Sequence, residues 1–315
     1  MNYEKIVFLI ALFILFSCIS SYNTTSKLEL EKKDINYIPY YLKVYEADSL
    51  YIIGKHQQSQ KILDSLFKKY EPLNQETYSE YITYLRNKVL LNDFEGIDLV
   101  LKKAVQNYGF KVDYCKKDSL VNIAFKKSGL NENDLIGFYN TYVKGLNLNY
   151  RSTLEKMIEE DQKVRLAENK NNEEWKKIDK KNSEELKKLI KKYGYPSVKK
   201  IGRFNFNNKN ANVKILFLHA NKKEREDYIL DLMLESVKSG ECQPVDFATV
   251  YDKYLLSSGE SGGKVLYGEL IDRNLDLDMV VLYPKKIDSL RKSIGLENID
   301  YRRWKLKKMI GVDKR

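Results

Sequence analysis

A carboxylate and a guanidinium group follow an apolar stripe in the middle of the chain. Leu154, Ile158, Asp161 and Arg165 are spaced four, three and four residues apart, which places their side chains on one face of an α-helix. Burying unpaired charges costs several kcal/mol. We therefore expect Asp161 and Arg165 to be mostly buried and Arg165 to contact a carboxylate. A guanidinium group placed in this way can stabilise an anion during catalysis.

The next helix repeats this arrangement. Its apolar stripe consists of Trp175, Ile178, Leu186, Leu189 and Tyr193. Asn182 lies within that stripe, and Asp179 lies beside it. Polar residues on the apolar faces of two adjacent helices predict one shared buried network. Two interpretations remain open, namely an ion pair that locks the two helices together and a functional site.

His219 ends the apolar run "VKILFLHA" and supplies the group that a reaction would need. In a hydrolase-like site it would act as acid or base, while Arg165 stabilises an anion. The candidate catalytic residues are Asp161, Arg165, Asp179, His219 and Glu241. A functional site requires these side chains around one open pocket, whereas scattered or sealed side chains indicate a structural role.

The remaining motifs argue against a metal ion or a nucleotide cofactor. His56 and His219 are the two histidines, they lie in different predicted domains, and no paired cysteines exist. The segment "SSGESGGKV" fits G-x-S-x-G, but a helix precedes it and a strand follows, the reverse of a nucleophile elbow. It is also one residue short of a phosphate loop, and Val265 stands where Ser or Thr would bind magnesium. We predict no cofactor.

The spacing of apolar residues predicts that most of the elements that position these residues are helices. We predict a mainly α fold, with an N-terminal helical-repeat (tetratricopeptide-like) or bundle domain over 35–146. A helical C-terminal domain over 147–315 would contain a small β-hairpin made of "KVLYGELI" and "DMVVLYP". The repeat rests on "KHQQSQKILDSLFKKY" and "NDFEGIDLVLKKAVQNY", which align with Ser59 on Gly96. A small residue there would let two helices approach closely.

Short motifs occur in a fixed order from about residue 154 to residue 301. They are "DQKVR", "DKKN", "GYP", "HA", "GE" and "YG". In this order they resemble an uncharacterised bacterial domain family whose members carry D-Q-x-x-R, D-x-x-N, G-W-P, H-A, G-E and Y-G. The resemblance implies a domain and no particular reaction. At positions that match the family, Asn182, Asp252, Tyr267 and Arg291 are candidate binding residues.

The N-terminus has the three-part form of a secretory signal, with Lys5 before an apolar run over 6–16. "LFSC" resembles the bacterial lipobox, so we predict a signal peptide over 1–17, lipid attachment at Cys18 and a polar tether over 18–34. An uncleaved signal anchor is the alternative. The lipid would hold the protein to a membrane of the bacterial cell envelope, facing the periplasm or the cell surface.

The charge pattern limits the classes of partner that the sequence predicts, and the cysteines limit its possible disulfides. The net charge is +11, but lysines alternate with acidic residues along the helices, which indicates solvated faces and no nucleic-acid partner. Cys115 and Cys242 form one possible disulfide or two free buried thiols. We expect a lipid-anchored binding module for a protein or peptide partner. The alternative is a hydrolase-like enzyme that uses the Asp, Arg and His residues of the C-terminal domain.

Overall fold

The computed structural model describes residues 35–76, 79–166, 172–271 and 277–310, and these residues are mainly helical. The helices before residue 147 are α1 (Ile38–Ile52), α2 (His56–Lys69), α3 (Glu80–Leu90), α4 (Ile97–Tyr108), α5 (Val112–Lys117), α6 (Ser119–Lys127) and α7 (Glu132–Lys144). Those after it are α8 (Leu148–Leu166), α9 (Asn172–Tyr193), α10 (Val198–Ile201), α11 (Lys214–His219), α12 (Lys222–Glu224), α13 (Leu230–Lys238), α14 (Pro244–Ser258), α15 (Leu277–Val280), α16 (Ile287–Ser293) and α17 (Tyr301–Ile310). A hairpin of β1 (Asn205–Phe206) and β2 (Lys209–Asn210) joins them. The predicted fold class, mainly α with a small hairpin, is confirmed.

Local chemistry explains where several helices begin and end. At the start of α7 the Asn131 side chain accepts from the backbone N–H of Asp134, and the Asp134 side chain accepts from the backbone N–H of Asn131. This reciprocal capping box satisfies two donors that have no partner within the helix. Helix α4 ends at Tyr108, and the next residue, Gly109, has a left-handed φ of 67°. Glycine adopts that conformation without steric cost, so the helix ends there.

The paired helices α1–α2 and α3–α4 are compatible with a helical repeat, but the two small residues do not play equivalent roles. Ser59 is fully buried in α2 and donates its hydroxyl to the carbonyl oxygen of Ala47 in α1, at 2.8 Å. Gly96 instead precedes α4 with a φ of 62°, and a Cβ atom there would have no neighbour within 4 Å. Ser59 therefore serves helix contact, whereas Gly96 serves chain reversal, and their predicted equivalence is wrong.

Two main groups of buried apolar side chains form the core. One consists of residues from α3 to α7, among them Leu85, Leu101 and Leu135. The larger one joins residues of α1 and α2 to residues of α8, α9, α11, α13 and α14. In that group the hydroxyl of Tyr41 in α1 donates to the carbonyl oxygens of Val237 and Cys242, at 2.9 and 3.1 Å. The boundary near Leu146 stays a prediction, but the buried contacts of α1 and α2 cross it.

The small hairpin lies elsewhere than predicted. β1 pairs antiparallel with β2, and the two residues between them, Asn207 and Asn208, have φ values of 50° and 60°. Asparagine tolerates this conformation, and such two-residue turns match the twist of a hairpin. The predicted strands "KVLYGELI" and "DMVVLYP" instead share a single parallel bridge between Val265 and Val281. Both valines are buried, so the apolar runs reflect burial rather than strand pairing.

The predicted signal peptide, Cys18 and the tether lie outside the described residues. Within the described ranges, no helix is both long and apolar enough to cross a membrane. Cys115 and Cys242 are free, which matches the second of the two alternatives considered for them. Burial raises the pKa of the Cys115 thiol to about 11. At neutral pH that thiol is therefore protonated and poorly nucleophilic.

Candidate functional site

Asp161 and Arg165 occupy the last turns of α8, where the helical spacing places them. The Asp161 carboxylate is completely buried, and Arg165 Nη1 lies 2.7 Å from its Oδ1 atom. Arg165 Nη2 lies 2.5 Å from Oδ1 of Asp179, which comes from α9. The predicted contact between Arg165 and a carboxylate is therefore confirmed, with two carboxylates rather than one. One guanidinium thus joins the two helices.

His219 completes this group from the end of α11. Its Nδ1 atom lies 2.8 Å and 3.0 Å from the two carboxylate oxygens of Asp161. Because a carboxylate only accepts hydrogen bonds, this contact favours the neutral ring form with the proton on Nδ1 and the lone pair on Nε2. The side chain of His219 is 27% exposed, whereas that of Asp161 is sealed. Asp161, Arg165, Asp179 and His219 are called the carboxylate–histidine site below.

Two further residues fix the geometry of α8 against α9. Trp175 donates its indole N–H to the carbonyl oxygen of Val164, at 2.9 Å, and its ring lies 5.8 Å from the guanidinium of Arg165. Asn182, a candidate binding residue, is buried between these helices and donates to the carbonyl oxygen of Met157, at 3.4 Å. Polar contacts between the two helices are present in Asp161, Arg165 and Asp179, whereas Asn182 contacts the backbone of α8.

Glu241 does not join the carboxylate–histidine site. It follows Gly240, whose φ of 82° turns the chain after α13, and its carboxylate lies 2.7 Å from Nζ of Lys200 near the end of α10. Together with Tyr195 and Asp246 it lines a separate cavity of about 40 Å³, which is large enough for about one water molecule. The expectation that Glu241 shares a site with Asp161 is therefore not met, because this turn directs it toward Lys200.

Arg225 is a neighbour of the site that the sequence analysis missed. It is buried, and it donates from Nη1 to the carbonyl oxygen of Leu218 at 2.7 Å and from Nη2 to Oγ of Ser257 at 2.9 Å. Burial lowers the pKa of Arg225, and attraction to Asp179 opposes that shift. The sequence contained a usable signal for its burial, because Arg225, Ile229 and Met233 are spaced by four residues. All three residues are buried in the structure. The charged run "KKERED" concealed it.

Asp252, Tyr267 and Arg291 meet in a second polar cluster. The buried Asp252 carboxylate accepts from the backbone N–H groups of Leu266, Tyr267 and Glu269, at 3.0, 2.9 and 2.7 Å. Burial raises the pKa of Asp252, and these three hydrogen bonds oppose the shift. The carboxylate therefore holds the loop after α14 in one conformation.

The other half of this cluster is formed by two arginines and two glutamates. Arg291 is fully buried, donates to the carbonyl oxygen of Tyr267, and lies 2.9 Å from Oε1 of Glu269. Arg302 of α17 lies 2.7 Å from both Glu269 and Glu297. The charges at the centre of this cluster are sealed from solvent. Its geometry therefore favours a structural role, in which the ion pairs hold the C-terminal helices in place. A binding role for Asp252, Tyr267 and Arg291 stays a prediction.

A cavity with a volume of about 400 Å³ has none of the predicted site residues in its wall. Five aromatic side chains contribute to that wall, namely Phe110, Tyr114, Tyr139, Tyr142 and Phe206. The polar residues Glu76, Lys111 and Arg203 also line it. This space is called the aromatic cavity below.

Buried polar contacts fix the hairpin side of the aromatic cavity. Arg151 of α8 donates to the carbonyl oxygens of Ile201 and Arg203, at 2.8 and 2.7 Å, and its guanidinium lies 5.1 Å from the ring of Phe206. Arg203 Nη2 lies 3.1 Å from Oε2 of Glu76. Because Glu76 belongs to the segment before α3, this ion pair joins that segment to the hairpin side of the cavity. These contacts preorganise the cavity wall. This site was not predictable from the sequence because its residues come from segments that are far apart in the chain.

Two tyrosines of the cavity wall are withdrawn from solvent to different degrees, Tyr142 almost fully and Tyr114 by about half. Burial raises the pKa of Tyr142 to about 12 and also raises the pKa of Tyr114. The Tyr114 hydroxyl accepts a hydrogen bond from Arg86 at 3.2 Å, so its ring edge is held while the ring contributes to the cavity wall. Rigid aromatic rings of this kind provide a large contact area with little loss of conformational entropy.

Comparisons with protein-family models, with curated proteins and with solved structures find no match for this chain. The resemblance to the bacterial domain family therefore stays a prediction. Within the described ranges, no group of three or more His, Cys, Asp or Glu residues is arranged to hold a metal ion.

Proposed function

We propose that this chain is a binding module of the bacterial cell envelope and that the aromatic cavity takes a side chain of a protein or peptide partner. The observation that carries this proposal is the aromatic cavity itself. Ligand sites are concave, mostly apolar, and typically occupy about 300–1,000 Å³, with a few polar groups that fix orientation. The cavity, at about 400 Å³ and with Glu76, Lys111 and Arg203 in its wall, has these properties.

The lining residues favour a particular partner chemistry. The half-buried rings of Tyr114 and Tyr139 offer apolar faces to an aromatic or aliphatic side chain. Arg203 and Glu76 neutralise each other at 3.1 Å, so the exposed Lys111 adds a positive charge to the site. We therefore expect a peptide in which an apolar side chain lies close to an acidic one.

Selection from a peptide library tests this proposal while the partner is still unidentified. The full chain, solubilised in detergent and immobilised, is used to select peptides from a random displayed library. A selected peptide is then synthesised with a benzophenone in place of its central apolar side chain and cross-linked by light. We expect the cross-links on Tyr114, Tyr139 or Phe206. Cross-links confined to other surfaces, or selected peptides without an apolar and an acidic residue, would refute the proposal.

Envelope anchoring is part of the same proposal. Its support is the sequence alone, in which an apolar run over 6–16 ends in the first two residues of "LFSC". A lipid on Cys18 would leave the tether over 18–34 between the membrane and the folded residues. Each buried methylene of a lipid chain contributes about 0.8 kcal/mol, so more than one acyl chain gives stable attachment.

A second candidate function is hydrolysis at the carboxylate–histidine site. The specific observation in its favour is the 2.8 Å contact between Asp161 and Nδ1 of His219, since a carboxylate that orients a histidine is a recurring feature of general-base catalysis. Hydrolysis of p-nitrophenyl acetate provides the test, with His56→Gln as the matched control. We expect the rate above buffer to be lost in His219→Gln and kept in His56→Gln. Equal rates in the two variants would eliminate this candidate.

A further inference from the structure

A π-helical turn lies beside the carboxylate–histidine site. Between α12 and α13, residues Arg225–Ile229 form five residues of π-helix within an otherwise α-helical segment. Such wide turns are rare and occur frequently at functional sites. Here the first residue of the turn, Arg225, is the one that contacts the chain next to His219.

Arg225 fastens the end of α11. Its Nη1 atom donates to the carbonyl oxygen of Leu218, the residue immediately before His219, at 2.7 Å. The last carbonyl groups of a helix have no partner within the helix, so this donor supplies one. From Nη2 the same guanidinium donates to Oγ of Ser257 in α14, at 2.9 Å. The backbone that carries His219 is thus tied to a second helix.

A purely structural role does not require a charge at this place. Arg225 is 5% exposed, and the two groups that its guanidinium contacts, the carbonyl oxygen of Leu218 and Oγ of Ser257, are uncharged. Asp179, the carboxylate that attracts Arg225, also binds Arg165 at 2.5 Å. Asp161, Arg165 and Asp179 therefore form one chain of ion pairs beside His219, and Asp179 attracts Arg225.

We infer that Arg225 is a positioning residue for His219 and that His219 presents the unprotonated Nε2 atom as a proton acceptor. Asp161 fixes the ring through Nδ1, while Arg225 fixes the backbone at Leu218. This inference rests on the second candidate function. In that reaction the Nε2 lone pair takes a proton from water as the water oxygen attacks an acyl carbon. The ester C–O bond then breaks, and the proton passes from Nε2 to the departing alcohol oxygen.

The position of the proton on His219 is measurable without a substrate. Long-range ¹H–¹⁵N spectra of the ring nitrogens separate the two neutral forms, and the chain has only two histidines. His56→Gln removes one set of signals and so assigns the other. We expect wild-type His219 in a single neutral form, with the proton on Nδ1 and none on Nε2.

Variants of Arg225 test the positioning role. In Arg225→Met, which replaces the charge with an apolar chain of similar length, we expect the His219 signals to average between two forms while those of His56 stay unchanged. Arg225→Lys, which keeps a charged donor, is expected to restore the single form. Ser257→Ala removes the second anchor of Arg225, together with the hydrogen bond from Oγ to the carbonyl oxygen of Tyr254. Ser257 is exposed, and this variant is expected to give a smaller change in the same direction.

Two results would overturn the inference. One is a wild-type His219 that carries its neutral-form proton on Nε2. The other is a His219 spectrum that is unchanged both in Ser257→Ala and in a folded Arg225→Met. If Arg225→Met does not fold, an unchanged His219 spectrum in Ser257→Ala alone would overturn the inference. A chain that meets the spectral expectations but hydrolyses no ester would remove the second candidate function and leave the positioning role in place. Peptide binding at the aromatic cavity is measured separately.

Discussion

Replacing Asp161 with alanine removes the centre of the carboxylate–histidine site. The carboxylate accepts from Arg165 at 2.7 Å, from Gln162 at 2.7 Å and from His219 at 2.8 Å, and it is completely buried. Removing one partner of a buried ion pair costs about 3–5 kcal/mol. Because Arg165 keeps its contact with Asp179 at 2.5 Å, we expect the lower end of that range, about 3 kcal/mol.

The measurement is the free energy of unfolding in urea, followed by circular dichroism. Glu160→Ala is the matched control, because Glu160 lies on the same helix and pairs with Lys181 of α9 at 2.6 Å, but both side chains are about half exposed. Exposed pairs contribute less than about 1 kcal/mol. If Asp161→Ala were no less stable than Glu160→Ala, the view that Asp161 is a sealed and fully paired carboxylate would be refuted.

Other parts of the chain can be tested by substitution in the same way. Cys18→Ser should move the protein from the membrane fraction to the soluble fraction, and an unchanged fraction with an uncleaved mass would exclude lipid attachment. Burial raises the pKa of Asp252 above its ordinary 3.8, so the folded state holds this proton more tightly and the contribution of Asp252 to stability falls as pH rises through the folded-state pKa. Urea unfolding from about pH 4 to about pH 7 should therefore show wild type losing stability relative to Asp252→Asn, and a gain would contradict the sign. Gly109→Ala should destabilise the protein by more than Gly259→Ala, because a Cβ at Gly109 would lie 2.4 Å from the Tyr142 ring, whereas one at Gly259 meets nothing within 4 Å; melting temperatures that fall equally would show that only the left-handed backbone matters.

The carboxylate–histidine site was largely predictable because its geometry follows from helical periodicity. Asp161 and Arg165 are one turn apart on α8, and Asp179 lies beside the apolar stripe of the next helix. When two adjacent helices bury their apolar faces together, polar residues on those faces must meet. His219 was a candidate for the same site as the histidine that ends the apolar run "VKILFLHA".

Features that depend on turns or on distant segments were not predictable in this way. Glu241 follows Gly240, and the direction in which the chain leaves such a turn is set by tertiary packing. Val265 and Val281 belong to apolar runs that are typical of strands, yet these runs share one parallel bridge and no hairpin. The hairpin signal was the pair Asn207–Asn208 between short polar segments, which carry no apolar alternation to mark the strands.

The aromatic cavity was not predictable because no periodic pattern connects its residues. Glu76, Phe110, Tyr139 and Phe206 belong to four separate segments of the chain. Each of these aromatic residues, taken alone, has the pattern of an ordinary core residue. Only the fold shows that their side chains surround a common space.

The central claim is that the aromatic cavity binds a peptide, and the affinity of one library-selected peptide for three proteins tests it most directly. Isothermal titration is performed with wild type, with Tyr139→Ala inside the cavity, and with Tyr283→Ala, which removes a tyrosine that is 54% exposed and outside the cavity wall. Thermal melts confirm that each variant is folded. We predict that Tyr139→Ala weakens binding by about tenfold or more, or about 1.4 kcal/mol, while Tyr283→Ala stays within about twofold of wild type. Equal affinities for all three proteins would contradict the claim.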